Sequence, residues 1–244
     1  MTMVSGGKAV YGAAVGILML EARFPRIPGD MGNALTWPFP VHYRVVRNAS
    51  PERVVRRRAE GLLDAFVAAG RDLVADGADG ITTNCGFLSL YQNELAEALD
   101  VPVATSSLMQ APLIQATLPP GRRVGILTIS PSSLSVQHLT TAGVDPATPV
   151  GGTDESGAFC RAILGNELLL DVAAARRENV EAATRLVAEH ADVGALLLEC
   201  TNMIPYAADI RAATGLPVYS IYNFVTWFHA ALSPRRFPPP VTAS

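Results

Sequence analysis

The feature that most constrains this chain is that it is written twice. Arg123-Val124-Gly125-Ile126-Leu127-Thr128 echoes Val15-Gly16-Ile17-Leu18-Met19, and the run 192–200 (DVGALLLEC) echoes 78–85 (ADGITTNC). Leu216-Pro217-Val218 in turn echoes Val101-Pro102-Val103. The opening strands lie 109 residues apart, and the terminal cysteines and the Pro-containing triplets lie 115 apart, so one period runs through the chain with a short insertion. Apolar runs of strand length alternate with helical stretches in both copies, which implies a duplicated α/β unit.

Within the first copy, residues 13–20 (AAVGILML) form a continuous apolar run that fits a strand buried on both faces. Residues 41–46 alternate as a strand does. Ser50-Pro51 is a helix start, with a hydroxyl at the cap and proline at the first helical position. The helix is predicted to run to about Asp76, with Gly61 and Gly70 as points where it kinks or divides. A strand over 78–83, a helix over 90–99 and a strand over 101–105 follow. Helical crossovers require parallel pairing with right-handed connections. The fold class is therefore α/β: two pseudo-symmetric lobes, each a short parallel sheet flanked by helices, with a cleft between them. The first lobe is drawn at 1–108 plus 223–244, which includes an apolar helix near 223–232, and the second at 109–222. The proline-rich end from Pro234 to Pro240 reads as an extended, partly disordered tail.

Composition excludes several function classes. With 49% hydrophobic residues, 17% charged residues and a net charge of −3, the chain has no basic stripe for nucleic acid or a membrane surface. The longest apolar run near the start, 9–20, falls short of the roughly 18–20 residues of a membrane span and lacks a signal-cleavage pattern. Three cysteines at wide spacing make no disulfide framework, so free thiols in a reducing cytoplasm are expected. His42, His138, His190 and His229 have no ligand spacing and no Cys-x-x-Cys occurs, so no metal is expected. The only lysine, Lys8, lies in a Gly-rich leader, which argues against a pyridoxal-phosphate Schiff base. No glycine-rich phosphate loop follows a strand. No cofactor is expected.

Cys85 and Cys200 remain. Ligands of parallel sheets gather outside the carboxyl ends of the strands, and both cysteines end equivalent strands. The symmetry of the repeat puts them on opposite walls of the cleft. Each precedes a helical stretch, whose first N–H groups favour the thiolate over a thiol of ordinary pKa near 8.5. Two such groups on opposite faces of a substrate Cα suit a two-base proton transfer. The resulting carbanion needs donors around its carboxylate, and Asn84, Thr128, Ser130, Thr201 and Asn202 lie at or just past strand ends, with Gly86 beside the first thiol. Other roles stay open: a buried cysteine is commonly a small core hydrophobe, Asn84 and Asn202 suit turns and caps, and the hydroxyls of 128–133 suit the cap of the next helix. Cys160 has no counterpart in the repeat and reads as a core or surface thiol. The Pro- and Gly-punctuated loop 21–40, with Arg23, Arg26, Asp30, Asn33 and Trp37, is either a lid over the site or disordered.

Duplicated lobes with paired cysteines resemble the aspartate/glutamate/hydantoin racemase superfamily. Cys200-Thr201-Asn202-Met203-Ile204-Pro205 is similar to its Cys-Thr-His/Asn segment. Asn84-Cys85-Gly86 is a looser match, since amino-acid racemases carry Cys-Asn-Thr there. The resemblance implies a cofactor-independent isomerase, a racemase or epimerase of an amino acid or related carboxylate (Asp/Glu-like or hydantoin-like). Cys85 and Cys200 would be its acid/base pair, and a homodimer or larger homo-oligomer its assembly. Two rival readings are a maleate-type cis-trans isomerase with Cys85 as nucleophile and a non-catalytic small-carboxylate-binding protein. Arylmalonate decarboxylases keep one cysteine, so two disfavour that activity. Gly86-Phe87 replaces polar residues of amino-acid racemases, and no second-lobe lysine is available for a distal carboxylate. Arg23, Arg26, Arg44 and Arg47 are the substitutes on offer, while Trp37, Phe39 and Phe87 fit a less polar substrate.

Overall fold

The computed structural model describes residues 3–238, and two four-stranded parallel sheets organise it. The first contains β1 (Val15–Leu20), β2 (Val41–Val46), β3 (Gly80–Thr83) and β4 (Val103–Ala104), in the order β2-β1-β3-β4. The second contains β5 (Arg123–Thr128), β6 (Val150–Gly152), β7 (Val193–Leu198) and β8 (Val218–Tyr219), in the order β6-β5-β7-β8. The sequence repeat is thus a repeat of topology, strand for strand. All six residues of β1 are buried, as its unbroken apolar run requires of a strand covered on both faces.

The registers are equivalent too. Leu18 lies opposite Thr83 in one sheet and Leu127 opposite Leu198 in the other. One step on, the Asn84 N–H donates to the Leu18 carbonyl at 3.0 Å and the Glu199 N–H to the Leu127 carbonyl at 2.8 Å. Cys85 and Cys200 are the next residues, just beyond the last bond of each ladder.

Helices α1 (Pro51–Val55), α2 (Leu63–Asp76), α3 (Gln92–Ala98) and α4 (Ala111–Thr117) precede the second sheet. After it opens come α5 (Val136–Thr141), α6 (Ala158–Leu164), α7 (Val172–Glu189), α8 (Ala207–Thr214) and α9 (Ile221–Leu232). Ser50 caps α1, its hydroxyl accepting from the Arg53 N–H, with Pro51 first in the helix. The single helix expected from Pro51 to Asp76 is two. Arg58 and Ala59, both at φ 55°, and Gly61 at φ 70° turn the chain through the left-handed region, where the helical bond ladder cannot continue. Helix α9 returns to the first sheet, packing Ile221, Phe224, Val225 and Phe228 with Val15, Ile17 and Met19 of β1.

Buried hydrogen bonds tie the two carboxyl ends together. The Thr201 hydroxyl donates to the Asn84 carbonyl, and the Ser107 hydroxyl to the Leu198 carbonyl, each at 2.7 Å. Residues 234–238 carry no helix or strand, and the rest of the expected tail, 239–244, lies outside the described residues. No helix among the described residues is long and apolar enough to cross a membrane.

Candidate active site

The strand ends bring Cys85 and Cys200 to one small cavity between the sheets. Both thiols are free and buried. Asn84, Gly86, Glu199, Thr201 and Asn202 complete its polar end, and Leu20, Phe24, Val55, Phe87, Ile129 and Ile163 give it apolar walls. No Arg, Lys or His among the described residues lines it. Arg26 is bound to Asp30 at 2.8 Å, Arg44 to Asp76 at 2.6 Å and Arg47 to Glu21 at 2.8 Å, so three of the four arginines considered for a distal carboxylate are held elsewhere. The fourth, Arg23, is off the wall too. Of the aromatic candidates Phe87 lines the cavity, whereas Trp37 and Phe39 pack with α9.

The electrostatics differ from the sequence expectation. Burial pushes both thiols above their ordinary pKa, and the neighbouring Glu199 carboxylate pushes the same way. Bonds from the backbone at Phe87 and Asn202 favour the thiolates but do not offset this. The reason is structural: each cysteine is followed by one six-residue 3₁₀ turn, Gly86–Tyr91 or Thr201–Tyr206, whose short bond array carries little of a helix dipole.

The donors expected at the substrate sort into two groups. Asn84, Gly86, Thr201 and Asn202 line the cavity, and the side chains of Asn84, Thr201 and Asn202 already serve the frame. The Asn84 side-chain oxygen accepts from the Leu20 N–H at 2.7 Å, pinning β3 to the end of β1. Asn202 donates to Asp30 at 2.6 Å and turns its oxygen to the Cys200 sulfur at 3.7 Å. Thr128 and Ser130 stand behind the wall, holding carboxylates: Thr128 donates to Glu199 at 2.7 Å and Ser130 to Glu155 at 2.8 Å. Neither caps α5, whose cap is Ser135.

Glu199 is the functional candidate that sequence reasoning quoted without giving it a role. Its carboxyl is fully buried, with one oxygen held by Thr128 and the other without a partner among the described residues. Burial pushes its pKa up to about 8, against the Thr128 bond. Gly86 is what admits it, since a Cβ there would lie 2.2 Å from Glu199 Oε1 and 2.4 Å from its carbonyl oxygen. The signal was available: an acid closing an otherwise apolar strand, Ala195-Leu196-Leu197-Leu198-Glu199, breaks the rule that unpaired charges stay outside.

The loop 21–40 is folded onto the site. Asp30, buried at 3% exposure, accepts from Arg26, from the Gly32 N–H and from Asn202, so it joins the loop to the second motif. Phe24 supplies part of the wall. A second, more open hollow beside α1 and α6 shares Pro51 and Leu164 with the inner cavity, and Cys160 lines it with Arg56 and Glu155. No cluster of three His, Cys, Asp or Glu among the described residues could hold a metal.

The fold is shared with solved structures of a decarboxylase and of amino-acid racemases. It is similar to arylmalonate decarboxylase (TM-score 0.61, 17% identity, 90% of this chain and 92% of that one) and to the glutamate racemase RacE1 of Bacillus anthracis (0.55, 16%, 90% and 82%). The Picrophilus torridus aspartate racemase is a comparable match (0.55, 17%, 91% and 93%). No family model matches the chain. It is 32% identical over 219 residues to the dimethylsulfoniopropionate lyase of Durusdinium sp. clade D, covering 85% of this chain and 71% of that protein. It is also 29% identical over 239 residues to dimethylsulfoniopropionate lyase 7 of Emiliania huxleyi strain CCMP1516, covering 90% and 67%. The chain belongs to the family of these dimethylsulfoniopropionate lyases.

Proposed function

We propose that the chain is a cofactor-independent lyase acting on a small carboxylate with a sulfonium group on its β-carbon, dimethylsulfoniopropionate being the substrate to test. The observation that carries this reading is the pair of free thiols, one from each sheet, on a single cavity with one polar end and apolar walls that no Arg, Lys or His among the described residues lines. A thiolate removes a proton from the carbon next to the carboxylate. The electron pair closes a double bond as the carbon–sulfur bond breaks, and the sulfur leaves as a neutral dialkyl sulfide. The products are acrylate and dimethyl sulfide, and the abstracted proton sits on the cysteine.

The walls suit both ends of such a substrate. S-methyl groups and the departing sulfide are apolar and face Phe24, Val55, Phe87 and Ile163. An aromatic face also attracts an onium cation. At the polar end, the Gly86 and Thr201 N–H groups, first in the two 3₁₀ turns, have no partner within their own turn and stand next to the thiols as donors for the carboxylate.

Two-base racemisation, expected from the sequence, shares the first step and is the second reading. It is favoured by the position of one thiol on each lobe. The test is purified protein with dimethylsulfoniopropionate in D₂O, following dimethyl sulfide by gas chromatography and acrylate and deuterium by NMR. Equimolar sulfide and acrylate are expected, with a loss of about 10²-fold or more in Cys85→Ser or Cys200→Ser, whichever is the base. Thiol-dependent deuterium uptake into amino acids without sulfide release would favour the racemase. Turnover of neither kind would sink both.

A further inference from the structure

We infer that Asp30 is a positioning residue for the two thiols: through Asn202 it holds Cys200 as the thiol that keeps its proton and leaves Cys85 as the base. This rests on the thiolate-base reading above and decides between the thiols, which that reading leaves open.

The repeat shows where the two thiols differ. Position 87 is the counterpart of position 202, each two places past its cysteine, and the residues there are Phe87 and Asn202. Phe87 turns an apolar ring to the cavity, edge-on to His138. Asn202 instead brings an amide to the Cys200 sulfur. An amide can face a thiol with either end, and the two ends act in opposite directions. Its NH₂ group would donate to the sulfur and favour the thiolate, whereas its oxygen accepts from S–H and favours the thiol.

Asp30 makes that choice. Its Oδ1 accepts from Arg26 at 2.8 Å and from the Gly32 N–H at 2.7 Å, which fixes the carboxylate within the 21–40 loop. Its Oδ2 is left to Asn202, and a carboxylate ion-paired with arginine only accepts. The Asn202 NH₂ group therefore points to Asp30, at 2.6 Å, and the amide oxygen to the Cys200 Sγ, at 3.7 Å, where the larger radius of sulfur sets the distance.

The charges around the thiols agree with this division. Two thiolates in one buried cavity would repel, so a proton fixed on Cys200 leaves one site for negative charge. At Cys85 the backbone at Phe87 and Leu88 and the Arg26 charge favour the thiolate, against burial and Glu199. At Cys200 only the backbone at Asn202 does so, against burial, Glu199, Cys85 and Asp30. Tyr206, at the end of the turn after Cys200, is the other ionisable group coupled to that thiol. In the elimination the Cys85 thiolate takes the α-proton and becomes the thiol as the carbon–sulfur bond breaks. Cys200 keeps its proton throughout, and the proton on Cys85 passes to water before the next turnover.

The test turns the amide round. In Asp30→Asn the new side-chain oxygen stays with its two donors, Arg26 and the Gly32 N–H, so its NH₂ group meets Asn202. The Asn202 amide must then flip and donate to the sulfur. Alkylation by iodoacetamide, read by mass spectrometry on the Cys85 and Cys200 peptides of the intact protein without substrate, gives the ratio of the two rates. That ratio should shift toward Cys200 by about tenfold or more. Most of the shift should vanish when Asn202→Leu is added, which leaves only the lost Asp30 charge to act. In dimethyl sulfide release, Cys85→Ser should lose about 10²-fold or more and Cys200→Ser about tenfold or less. Infrared spectra give a check that needs no Asp30 variant: the S–H stretch removed by Cys200→Ser should lie at lower frequency than the one removed by Cys85→Ser. The assignment is overturned by an unmoved alkylation ratio in Asp30→Asn, by a shift of full size without Asn202, by a Cys200 stretch at or above that of Cys85, or by a loss in Cys200→Ser as large as that in Cys85→Ser. The expected alkylation shift without turnover of dimethylsulfoniopropionate would instead fault the lyase reading and leave the Asp30–Asn202 link standing.

Discussion

Replacing Gly86 by alanine tests whether the two lobes meet as closely as the site requires. The new Cβ would stand 2.2 Å from Glu199 Oε1, 2.8 Å from its Cδ and 2.4 Å from its carbonyl oxygen. The carboxyl could swing aside at the cost of its Thr128 bond. The carbonyl cannot, because it belongs to the backbone just past β7 and accepts from Ser107 at 3.3 Å. Relief therefore requires the two strand ends to part by roughly half an ångström or more, stretching the 2.7 Å Thr201–Asn84 bond across the same seam. Overpacking of this kind costs about 1–3 kcal/mol, and rigid backbone on one side puts Gly86→Ala at the upper end. For a domain of this size that is a fall in Tm of about 6–12 °C. Misplacing the thiols by a fraction of an ångström should reduce dimethyl sulfide release by about tenfold to a hundredfold. Thermal unfolding by circular dichroism and the sulfide assay measure both. A variant within 2 °C and twofold of wild type would refute the close approach and, with it, the explanation of why glycine follows the first cysteine.

Asp30→Ala removes the carboxylate that pairs with Arg26 and receives Asn202, leaving a guanidinium only 15% exposed without its partner. A loss of about 3 kcal/mol in urea unfolding is expected, with new tryptic cleavage after Arg23 or Arg26; an unchanged midpoint would mean the loop is held by its apolar contacts alone. His138 is buried against Phe87 with its Nδ1 accepting from the Ser135 N–H at 3.1 Å, and burial pushes its pKa down to about 4 from 6.5. The unfolded chain takes up this proton as pH falls below 6.5 while the folded chain resists until about 4, so stability falls across that window, by at most about 3 kcal/mol. Glu155 and Asp192, held low by hydrogen bonds from Ser132 and Arg123, lose their contributions only below about pH 4.5. In His138→Gln the drop in urea midpoint between pH 7 and 5 should shrink; if it does not, the sensitivity lies elsewhere.

Much of the fold was legible because it is duplicated. A repeat fixes which strands are equivalent, and the parallel rule fixes how they connect, so the two thiols could be matched before any distance was known. Local chemistry was read correctly at Ser50-Pro51, where cap and proline act within one turn. It failed over 56–62, where two non-glycine residues adopt φ 55° and the helix stops with little warning from Arg58 or Ala59. That residues 84–86 and 200–202 share one cavity was legible, since ladder register carries them there, whereas Glu199 was given no role. Thr128 and Ser130 reached the right strand end but not the wall, because whether a hydroxyl faces a ligand or a carboxylate depends on the side chain opposite. Burial is likewise a tertiary property: the thiols looked acidified beside their helical stretches and are instead held neutral.

That neutrality bears on which substrate the cavity accepts. A thiol raised by burial becomes a better base when something supplies counter-charge; no arginine, lysine or histidine among the described residues lines the wall, and Arg26, paired with Asp30, favours the Cys85 thiolate without offsetting its burial. A substrate with a second carboxylate would worsen the balance by bringing another anion to the thiols and Glu199. A sulfonium brings the opposite charge. At an effective dielectric of about 20, a cation about 5 Å from a thiolate stabilises it by roughly 3 kcal/mol, equivalent to about two pKa units. Under the proposed reading, substrate binding therefore helps to ionise the cavity that is to deprotonate it. The base is withheld while the cavity is open to water and released when the onium fills it. The same positive charge makes the sulfur a neutral leaving group, so one feature of the ligand serves both base formation and bond cleavage. An acidic amino acid offsets its one ammonium with two carboxylates and has no neutral leaving group, so under the proposed reading it is the poorer substrate, even on a fold shared with racemases.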